Sequence, residues 1–543
     1  METEERRDRL NSWKAIAAYL DRSVRTVRRW EAGEGLPVHR HMHASQGSVF
    51  AFAGEIDKWL ARRSQSPAMP APEPDSPALA VLPFDCIGPS EALRYAADGI
   101  GEELLCDLAR IGSLRVLSRT SSRLLGQDRA DARSIGRRHG VTHLVEGTIQ
   151  AAGPRVRIGV RLIDVEADRP VWSEVFTGDS ETLFELQAEV AHTTKQAVSG
   201  RLAKTDALAN QPQTPPPVWR CLAIARQESL KWRRDAIDNA IRQLDSGLEA
   251  FGESPELLAA LGRAHLQYRE AGVDLGPAPL DKARSALERL QRAAPGDVPT
   301  LQLQGWLHYA EGRTGEAIDA LIEADRQQPD DAETLGVLIN CLLISDRADE
   351  AMPHIKRLML IDPLTPLTAC LPGWYRVLEG DFEGALPYYR EMLERDPANP
   401  MARLFNLWVM ILADQEAALR RLASESDGAS PESPPDRIAA FLVEAFFGNA
   451  ERAGQLLGED IEALASANDI LPRFLADGFA LLGDADSAAR WIDVAVERGF
   501  LHYPFLAERN RLMTGLAEHP AIRRAIGRLR QRWAESPAGV AGP

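Results

Sequence analysis

Basic side chains cluster in one short segment near the amino terminus. Arg25 and Arg29 are four residues apart, so they share one face if the segment is helical. Thr26 and Arg28 flank that pair, and Arg22 lies just before it. Guanidinium groups in this arrangement can bind guanine edges with two hydrogen bonds, or they can contact phosphates. The spacing therefore predicts a surface suited to the major groove of a duplex.

Two helices are predicted to position these arginines. Residues 12–20 carry apolar side chains at helical spacing, with Ser12 as the amino-terminal cap. Residues 24–32 place valine and tryptophan at steps of three, which directs the arginines to the opposite face. The three-residue break at 21–23 is typical of a helix-turn-helix. Lys14, on the first helix, is a further candidate DNA contact.

A β-hairpin is predicted to follow the two helices. Residues 38–42 and 48–52 alternate in polarity, and residues 45–47 between them are typical of a turn. A closing helix is predicted over residues 54–63, with its apolar side chains facing inward. The first strand supplies three candidate contacts to the DNA backbone: His39, Arg40 and His41.

The histidines of this strand also permit a second interpretation. His39, His41 and His43 alternate along the strand, so their imidazoles share one face and could converge on a metal ion. No cysteine or carboxylate lies near them in the sequence. We therefore favour DNA contacts and predict no metal site and no cofactor.

The amino-terminal region resembles a known DNA-binding family. The segments SWKAIAAYLDRSVRTVRRWE, GLPVHRHMH and SVFAF resemble the MerR/excisionase-type winged helix-turn-helix. The resemblance covers residues 1–63 and implies binding to double-stranded DNA through the second helix and the wing. Asp21 departs from the pattern, because helix-turn-helix families often carry glycine there.

The charge distribution agrees with a basic head on an acidic body. The chain of 543 residues has a net charge of −16. Residues 1–63 hold 12 Lys and Arg against 9 Asp and Glu, a net charge of +3, so the remainder carries −19. The head is therefore the part suited to a phosphate backbone.

The cysteines and the hydropathy of the chain predict the cellular compartment of the protein. The five cysteines are scattered and form no C-x-x-C pair, which favours a reducing cytosol over a disulfide framework. The charged amino terminus is unlike a secretory signal, and no apolar run approaches the ~20 residues of a membrane helix. We expect a cytoplasmic protein with no membrane contact.

A second domain is predicted between two proline-rich linkers at 64–77 and 205–217. Residues 78–204 read as an α/β sandwich with a mixed sheet. The predicted strands cover 78–84, 114–120, 141–150, 156–165 and 170–176, and the predicted helices cover 95–111, 132–139 and 181–202.

This middle region also resembles a known domain. The segments VLPF, YAADGIGEELLCDLARI, LRVLSRTSS, IGRRHGVTHLVEGTIQ and VRIGVRLID resemble the TolB amino-terminal-like (FlgO-like) domain. The resemblance supplies no catalytic motif. The hydroxyl-rich stretch SRTSS has no glycine-rich phosphate loop before it, and the chain lacks G-x-S-x-G. We therefore predict no catalytic residues and no enzyme.

The strongest pattern in the chain is a 34-residue period. It is carried by four prolines and by four alanines, namely Pro295, Pro329, Pro363, Pro397, Ala283, Ala317, Ala351 and Ala385. Small residues within a unit and proline at its end are the signature of tetratricopeptide (TPR) repeats. We predict seven or eight TPR units over residues 218–535, followed by a flexible tail at 536–543.

The fold class predicted for the chain is multidomain and mostly α. It comprises a small winged helix-turn-helix, an α/β sandwich with a mixed sheet and a carboxyl-terminal TPR α-solenoid. A TPR groove predicts a protein or peptide partner, or self-association as a homodimer. The function predicted is that of a bacterial DNA-binding transcriptional regulator in signalling. The alternative is a cytosolic TPR scaffold without a DNA-binding role.

Overall fold

The computed structural model divides the chain into two compact units, Met1–Pro74 and Asp75–Pro543. The residues that the structure describes are 9–10, 12–19, 38–40, 49–52, 56, 77–88, 91–109, 111, 114–127, 139–179, 183–202, 216–229, 233–425 and 433–536.

The first unit contains a short helix and a small antiparallel sheet. The elements are α1 (Trp13–Tyr19), β1 (Arg9–Leu10), β2 (His39–Arg40) and β3 (Val49–Phe52). The strand order is β1-β3-β2, so the predicted pairing of the two hairpin strands is present and β1 is an addition that the sequence patterns did not indicate. Ser12 caps α1, because its hydroxyl accepts a hydrogen bond from the amide of Ala15 at 3.1 Å.

The sheet of the second unit is mixed, as predicted. Its strands are β4 (Ala78–Val81), β5 (Asp85–Ile87), β6 (Arg115–Val116), β7 (His143–Ala152), β8 (Arg155–Asp164) and β9 (Arg169–Asp179). The order is β6-β4-β7-β8-β9, with β5 also paired to β7. The β4, β5, β6 and β7 pairings are parallel, and β7, β8 and β9 are antiparallel.

Two long helices cover one face of this sheet. They are α2 (Glu91–Ala109) and α4 (Leu183–Leu202), and a short helix, α3 (Arg119–Gln127), lies between them in the sequence. Leu104 and Val190 are fully buried with Val145 and Ile158 of the sheet. This face is therefore a hydrophobic core.

The strand predicted over 114–120 is wrong beyond its first half. Strand structure ends at Val116, and α3 begins at Arg119. The reason is local, because the hydroxyl of Ser118 accepts a hydrogen bond from the amide of Ser121 at 3.1 Å. A serine in that position caps a helix, and the cap prevails over the alternating polarity of the segment.

Helices make up the rest of the second unit. They are α5 (Pro216–Ser229), α6 (Arg234–Phe251), α7 (Pro255–Glu270), α8 (Ala278–Ala293), α9 (Val298–Ala310), α10 (Thr314–Gln327), α11 (Ala332–Ile344), α12 (Ala348–Ile361), α13 (Pro366–Leu378), α14 (Phe382–Arg395), α15 (Pro400–Leu412), α16 (Glu416–Glu425), α17 (Pro434–Phe446), α18 (Ala450–Leu456), α19 (Glu459–Ala467), α20 (Leu471–Leu481), α21 (Ala485–Glu497), α22 (Arg511–Thr514) and α23 (Pro520–Ala534). A π-helical turn lies at Phe505–Arg509.

The predicted 34-residue period appears directly in the helix positions. The first helices of four consecutive units, α9, α11, α13 and α15, each begin 34 residues after the previous one. The second helices, α10, α12, α14 and α16, keep the same step. The turn within each unit has a residue with positive φ, at Gly312, Asp346, Gly380 and Asp414. Glycine and aspartate tolerate that left-handed conformation better than bulky or β-branched residues do.

The repeated prolines and alanines occupy equivalent places in each unit. Each proline lies two residues after the end of a second helix, at Pro295, Pro329, Pro363 and Pro397. Each alanine is a fully buried residue of a second helix, at Ala283, Ala317, Ala351 and Ala385. A methyl group at these positions lets neighbouring helices approach closely.

The close packing of the helices predicts opposite effects for two glycine substitutions. A Cβ atom at Gly305, in α9, would lie 2.5 Å from Cγ of the fully buried Leu321. Gly305→Ala should therefore lower the free energy of unfolding by roughly 1–3 kcal/mol, because Leu321 has no room to move. Gly336→Ala is the matched control in α11, where a Cβ atom would meet nothing within 4 Å.

We expect Gly336→Ala to raise the free energy of unfolding by roughly 0.5–1 kcal/mol, because alanine favours the helix. Urea unfolding followed by circular dichroism at 222 nm measures both variants. Equal effects of the two substitutions would contradict the packing described for Gly305.

Candidate functional site

The first unit holds the described part of the predicted DNA-contact set. The side chain of Lys14 is exposed on α1, while Ile16 on the same helix is fully buried. His39 stacks on Phe50 across the β2–β3 pair, with ring centroids 5.1 Å apart, and meets the edge of Phe52 at 5.7 Å. The sheet thus holds His39 in one place through aromatic contacts.

Most of the predicted recognition surface lies outside the described residues. Arg40 pairs with Val49 in the sheet, and its side chain is not among those described. The other predicted contacts that lie outside the described residues are Arg22, Arg25, Thr26, Arg28, Arg29 and His41.

Within the residues that the structure places, no group of three or more His, Cys, Asp or Glu side chains could hold a metal ion. Two of the three strand histidines, His41 and His43, lie outside those residues. None of the described helices is long and apolar enough to cross a bilayer.

In the second unit, one side of the helical array is covered by a later helix of the same chain. The first helices α9, α11, α13 and α15 share one side of the array, which we call the inner face. Helix α20 packs on this face, because Phe474 meets Trp408 of α15 with ring centroids 5.1 Å apart. A Cβ atom at Gly478 would lie 2.1 Å from Phe441 of α17, so α20 also contacts that helix closely.

Buried polar groups connect α20 to the inner face. Trp408 donates a hydrogen bond from its indole nitrogen to Oδ2 of Asp477 at 2.7 Å. Asn510 donates to Oδ1 of the same carboxylate at 2.7 Å. Burial raises the pKa of Asp477 to about 6, although these hydrogen bonds and the charge of Arg473 act in the opposite direction.

A second polar contact lies just before the start of α20. The hydroxyl of Tyr309 donates to the carboxylate of Asp469 and accepts a hydrogen bond from Asn340 at 2.6 Å. Burial raises the pKa of Asp469. The guanidinium of Arg473 lies 4.5 Å from the ring centre of Trp374 and 4.8 Å from that of Phe500. This cation–π arrangement replaces part of the lost hydration of the arginine.

The chain then runs along the turns of the same four units. We call residues 498–516 the strap. Thr314 donates a hydrogen bond to the carbonyl of Gly499 at 2.9 Å, and the amide of Leu501 donates to the carbonyl of Ile344 at 2.8 Å. Further along, Arg509 donates to the carbonyl of Leu378 at 2.9 Å. The strap therefore contacts three consecutive units in order.

Arg511 extends this series to the fourth unit. It donates to the carbonyl of Ile411 at 2.5 Å, and its other terminal nitrogen lies 3.1 Å from the carboxylate of Asp414. The repeat pattern predicted TPR units as far as residue 535 and did not predict that this segment lies along the turns of earlier units. The available signal was a group of aromatic residues, Phe500, Tyr503 and Phe505, followed closely by Arg509 and Arg511.

The α/β region is attached to the turn between α12 and α13. Asp362 is 5% exposed and accepts hydrogen bonds from the hydroxyls of Ser118 and Ser121, the latter at 2.8 Å. Thr365 and Thr368 donate to the same carboxylate at 2.8 Å each. One carboxylate thus receives four hydroxyl donors from two parts of the chain.

Other contacts strengthen this attachment. Arg115 donates to the carbonyl of Leu360 at 3.0 Å, and Leu364 packs into the small core under α3. A second contact lies near α5, where Glu102 of α2 forms ion pairs with Arg119 and Arg226. The hydroxyl-rich stretch SRTSS therefore serves as a docking segment within the chain.

The four donors on Asp362 predict a selective loss of stability. Asp362→Ala should lower the free energy of unfolding by roughly 2–4 kcal/mol, because it leaves several buried hydroxyls without an acceptor. Asp396 is the control, since it occupies the same position one repeat later and accepts a side-chain hydrogen bond from Asn399 at 3.1 Å.

We expect Asp396→Ala to lower the free energy of unfolding by less than about 1 kcal/mol. Hydrogen exchange should also accelerate in α3 for the Asp362 variant and remain unchanged for the control. Equal effects of the two substitutions on unfolding and exchange would show that the four hydroxyl contacts do not hold the α/β region.

The helical array belongs to the class of TPR repeat folds. A tetratricopeptide repeat family model matches residues 308–367, which span α10, α11 and α12. The described helix pairs and their 34-residue step agree with that match over a longer stretch. TPR repeats are protein-interaction modules, so a protein partner is the general expectation for this region.

Particular relatives match parts of the chain. A protein of Rhizobium meliloti (strain 1021) named "Putative adenylate cyclase 3" is 31% identical over 185 residues, which is 34% of this chain and 32% of that protein. The chain thus spans about a third of the length of this curated relative.

Solved structures also resemble the chain. A tetratricopeptide repeat protein from Parabacteroides merdae ATCC 43184 is 11% identical, with 47% of this chain and 98% of that chain covered and a TM-score of 0.35. A Rap protein complexed with competence and sporulation factor is 13% identical, with 59% and 99% covered and a TM-score of 0.41.

Proposed function

We propose that this chain is a DNA-binding transcriptional regulator whose TPR array binds a protein partner or a second copy of the chain. The observation that carries the proposal is the arginine cluster at residues 22–29, which lies in the basic first 63 residues of an otherwise acidic chain. Electrostatic attraction to phosphates requires such a local excess of positive charge.

The first unit supports the DNA-binding part of the proposal. Helix α1 and the β2–β3 pair flank the arginine segment in the sequence, as they do in a winged helix-turn-helix. Lys14 is exposed on α1, and an exposed ammonium group can contact a phosphate. His39 lies on the strand that the resemblance assigns to the wing.

The second unit supports the protein-binding part. Repeated helix pairs present extended surfaces with many backbone and side-chain groups at a regular spacing. A single DNA-binding module of this size buries about 600–1,000 Å² on DNA, which gives modest affinity. Self-association through the second unit would bring two heads to one site and increase that affinity.

We also propose that the chain binds and does not catalyse. The name of the Rhizobium meliloti relative describes that protein, of which this chain matches 32%. Buried thiols such as Cys341 and Cys370 are poor nucleophiles, because burial raises the pKa of both. The alternative of a TPR scaffold without a DNA-binding role is favoured by the acidic charge of the remaining chain.

DNA retention by the full chain distinguishes the regulator from the scaffold. The probe is a pool of random-sequence duplexes, and binding is measured by gel shift between 50 and 200 mM salt. We expect retention at low salt and a steep loss as salt rises. Replacing Arg25, Arg28 and Arg29 together with Ala should weaken binding at least tenfold and reduce the salt slope by up to about 3.

The control replaces three exposed arginines of the second unit, Arg155, Arg157 and Arg523, with Ala. Its total charge matches that of the test variant, so only the location differs. We expect the control to retain DNA nearly as the unaltered chain does. If the unaltered chain binds no DNA at low salt, the scaffold alternative holds. If both variants lose binding equally, the arginine cluster is not the DNA-binding surface.

A further inference from the structure

The strap donates hydrogen bonds to the ends of three helices. The last carbonyl groups of a helix accept no hydrogen bond from within that helix, because no amide of the helix lies beyond them. Ile344 and Leu378 are the last residues of α11 and α13, and Ile411 is next to the last residue of α15. Each of their carbonyl groups accepts a hydrogen bond from the strap. The edge of the array therefore offers a row of acceptors at a regular spacing.

The same edge is negatively charged. Helix carboxyl ends carry partial negative charge, which favours cations nearby. Glu379 lies 3.0 Å from Arg509, and Asp414 lies 3.1 Å from Arg511. Asp346, at the equivalent turn of α11 and α12, accepts a hydrogen bond from Trp533 at 3.0 Å. A segment that binds this edge is thus expected to be basic.

An aromatic site lies beside the row of acceptors. Phe505 of the strap meets Trp374 edge to face, with ring centroids 6.4 Å apart, and both Phe500 and Phe505 are fully buried. The site also contains Arg473, whose Nη1 atom is buried without a hydrogen-bond partner among the described residues. A buried donor without a partner costs stability, so the strap satisfies its site incompletely.

We propose that this edge of the array, formed by the turns of four consecutive TPR units, is a protein-binding surface for a basic segment with an aromatic anchor. The strap is its resident occupant and must leave before a partner segment binds. This inference rests on the proposed role of the TPR array in binding protein, and it adds the place and the chemistry of the partner.

Occupancy by the strap reduces the apparent affinity for a partner. A site that is open in a fraction of molecules binds with a dissociation constant divided by that fraction. Arg509 and Arg511 hold the strap at half-buried positions near the surface, with 31% and 30% of their side chains exposed. Removing them should loosen the strap and raise the fraction of molecules in which the site is open, while the contacts of α20 with Trp408 and Phe441 do not involve these arginines.

A synthetic peptide with the sequence of residues 498–516 tests the inference in trans. The peptide carries a fluorescent label, and its binding to the full chain is measured by anisotropy. We expect the Arg509→Ala/Arg511→Ala chain to bind the peptide at least tenfold more tightly than the unaltered chain. A peptide in which both arginines are replaced with Ala should bind that variant at least tenfold more weakly.

Two controls make the result specific. Arg523→Ala/Arg524→Ala removes two exposed arginines from α23 and should leave peptide affinity unchanged. A scrambled peptide of the same composition should not bind the opened variant. If circular dichroism shows that the double variant has lost its helices, the single variants Arg509→Ala and Arg511→Ala are measured in the same way.

Equal affinity of the unaltered and opened chains for the peptide would overturn the inference, as would equal binding of the native and scrambled peptides. The experiment uses neither DNA nor a natural partner. A negative result would therefore reject this edge as a protein-binding surface, and the DNA-retention test of the proposed function would be unaffected.

Discussion

The carbonyl groups at the ends of three consecutive first helices impose the constraint on which the second unit depends. A 34-residue repeat places these helix ends in a row, and each must find a hydrogen-bond donor or water. Here Leu501, Arg509 and Arg511 of the strap donate to them. The carbonyl of Ile411 also accepts from the amide of Asp414. The strap also contacts α20, because Asn510 donates a hydrogen bond to Asp477. The strap, near the carboxyl end of the array, thus binds to the middle units of the same array.

The turns between one unit and the next make different contacts. Asp362 lies in the turn between α12 and α13 and gathers hydroxyls from the α/β region and from its own helix. The α/β region and the array are therefore attached through defined polar contacts and through Leu364.

Local patterns predicted the repeats well and the long-range contacts poorly. The period of proline and alanine specified the helix pairs because each unit repeats the same local packing problem. The mixed sheet followed from alternation within single segments. By contrast, nothing local to Ser118 indicated that its partner is Asp362, which lies far away in the sequence. The position of α20 depends on the curvature of several units together, which no single repeat encodes.

Hydrogen exchange of the full chain, followed by mass spectrometry, tests directly whether α20 packs on the inner face. In this structure nearly every side chain of α20 is buried, from Leu471 to Gly478, whereas α23 exposes much of its surface. We predict that amides of α20 exchange as slowly as those of α13 and α15, and much more slowly than those of α23. Exchange of α20 at the rate of α23 would contradict this prediction, because a helix buried on the inner face should open far less often than an exposed one.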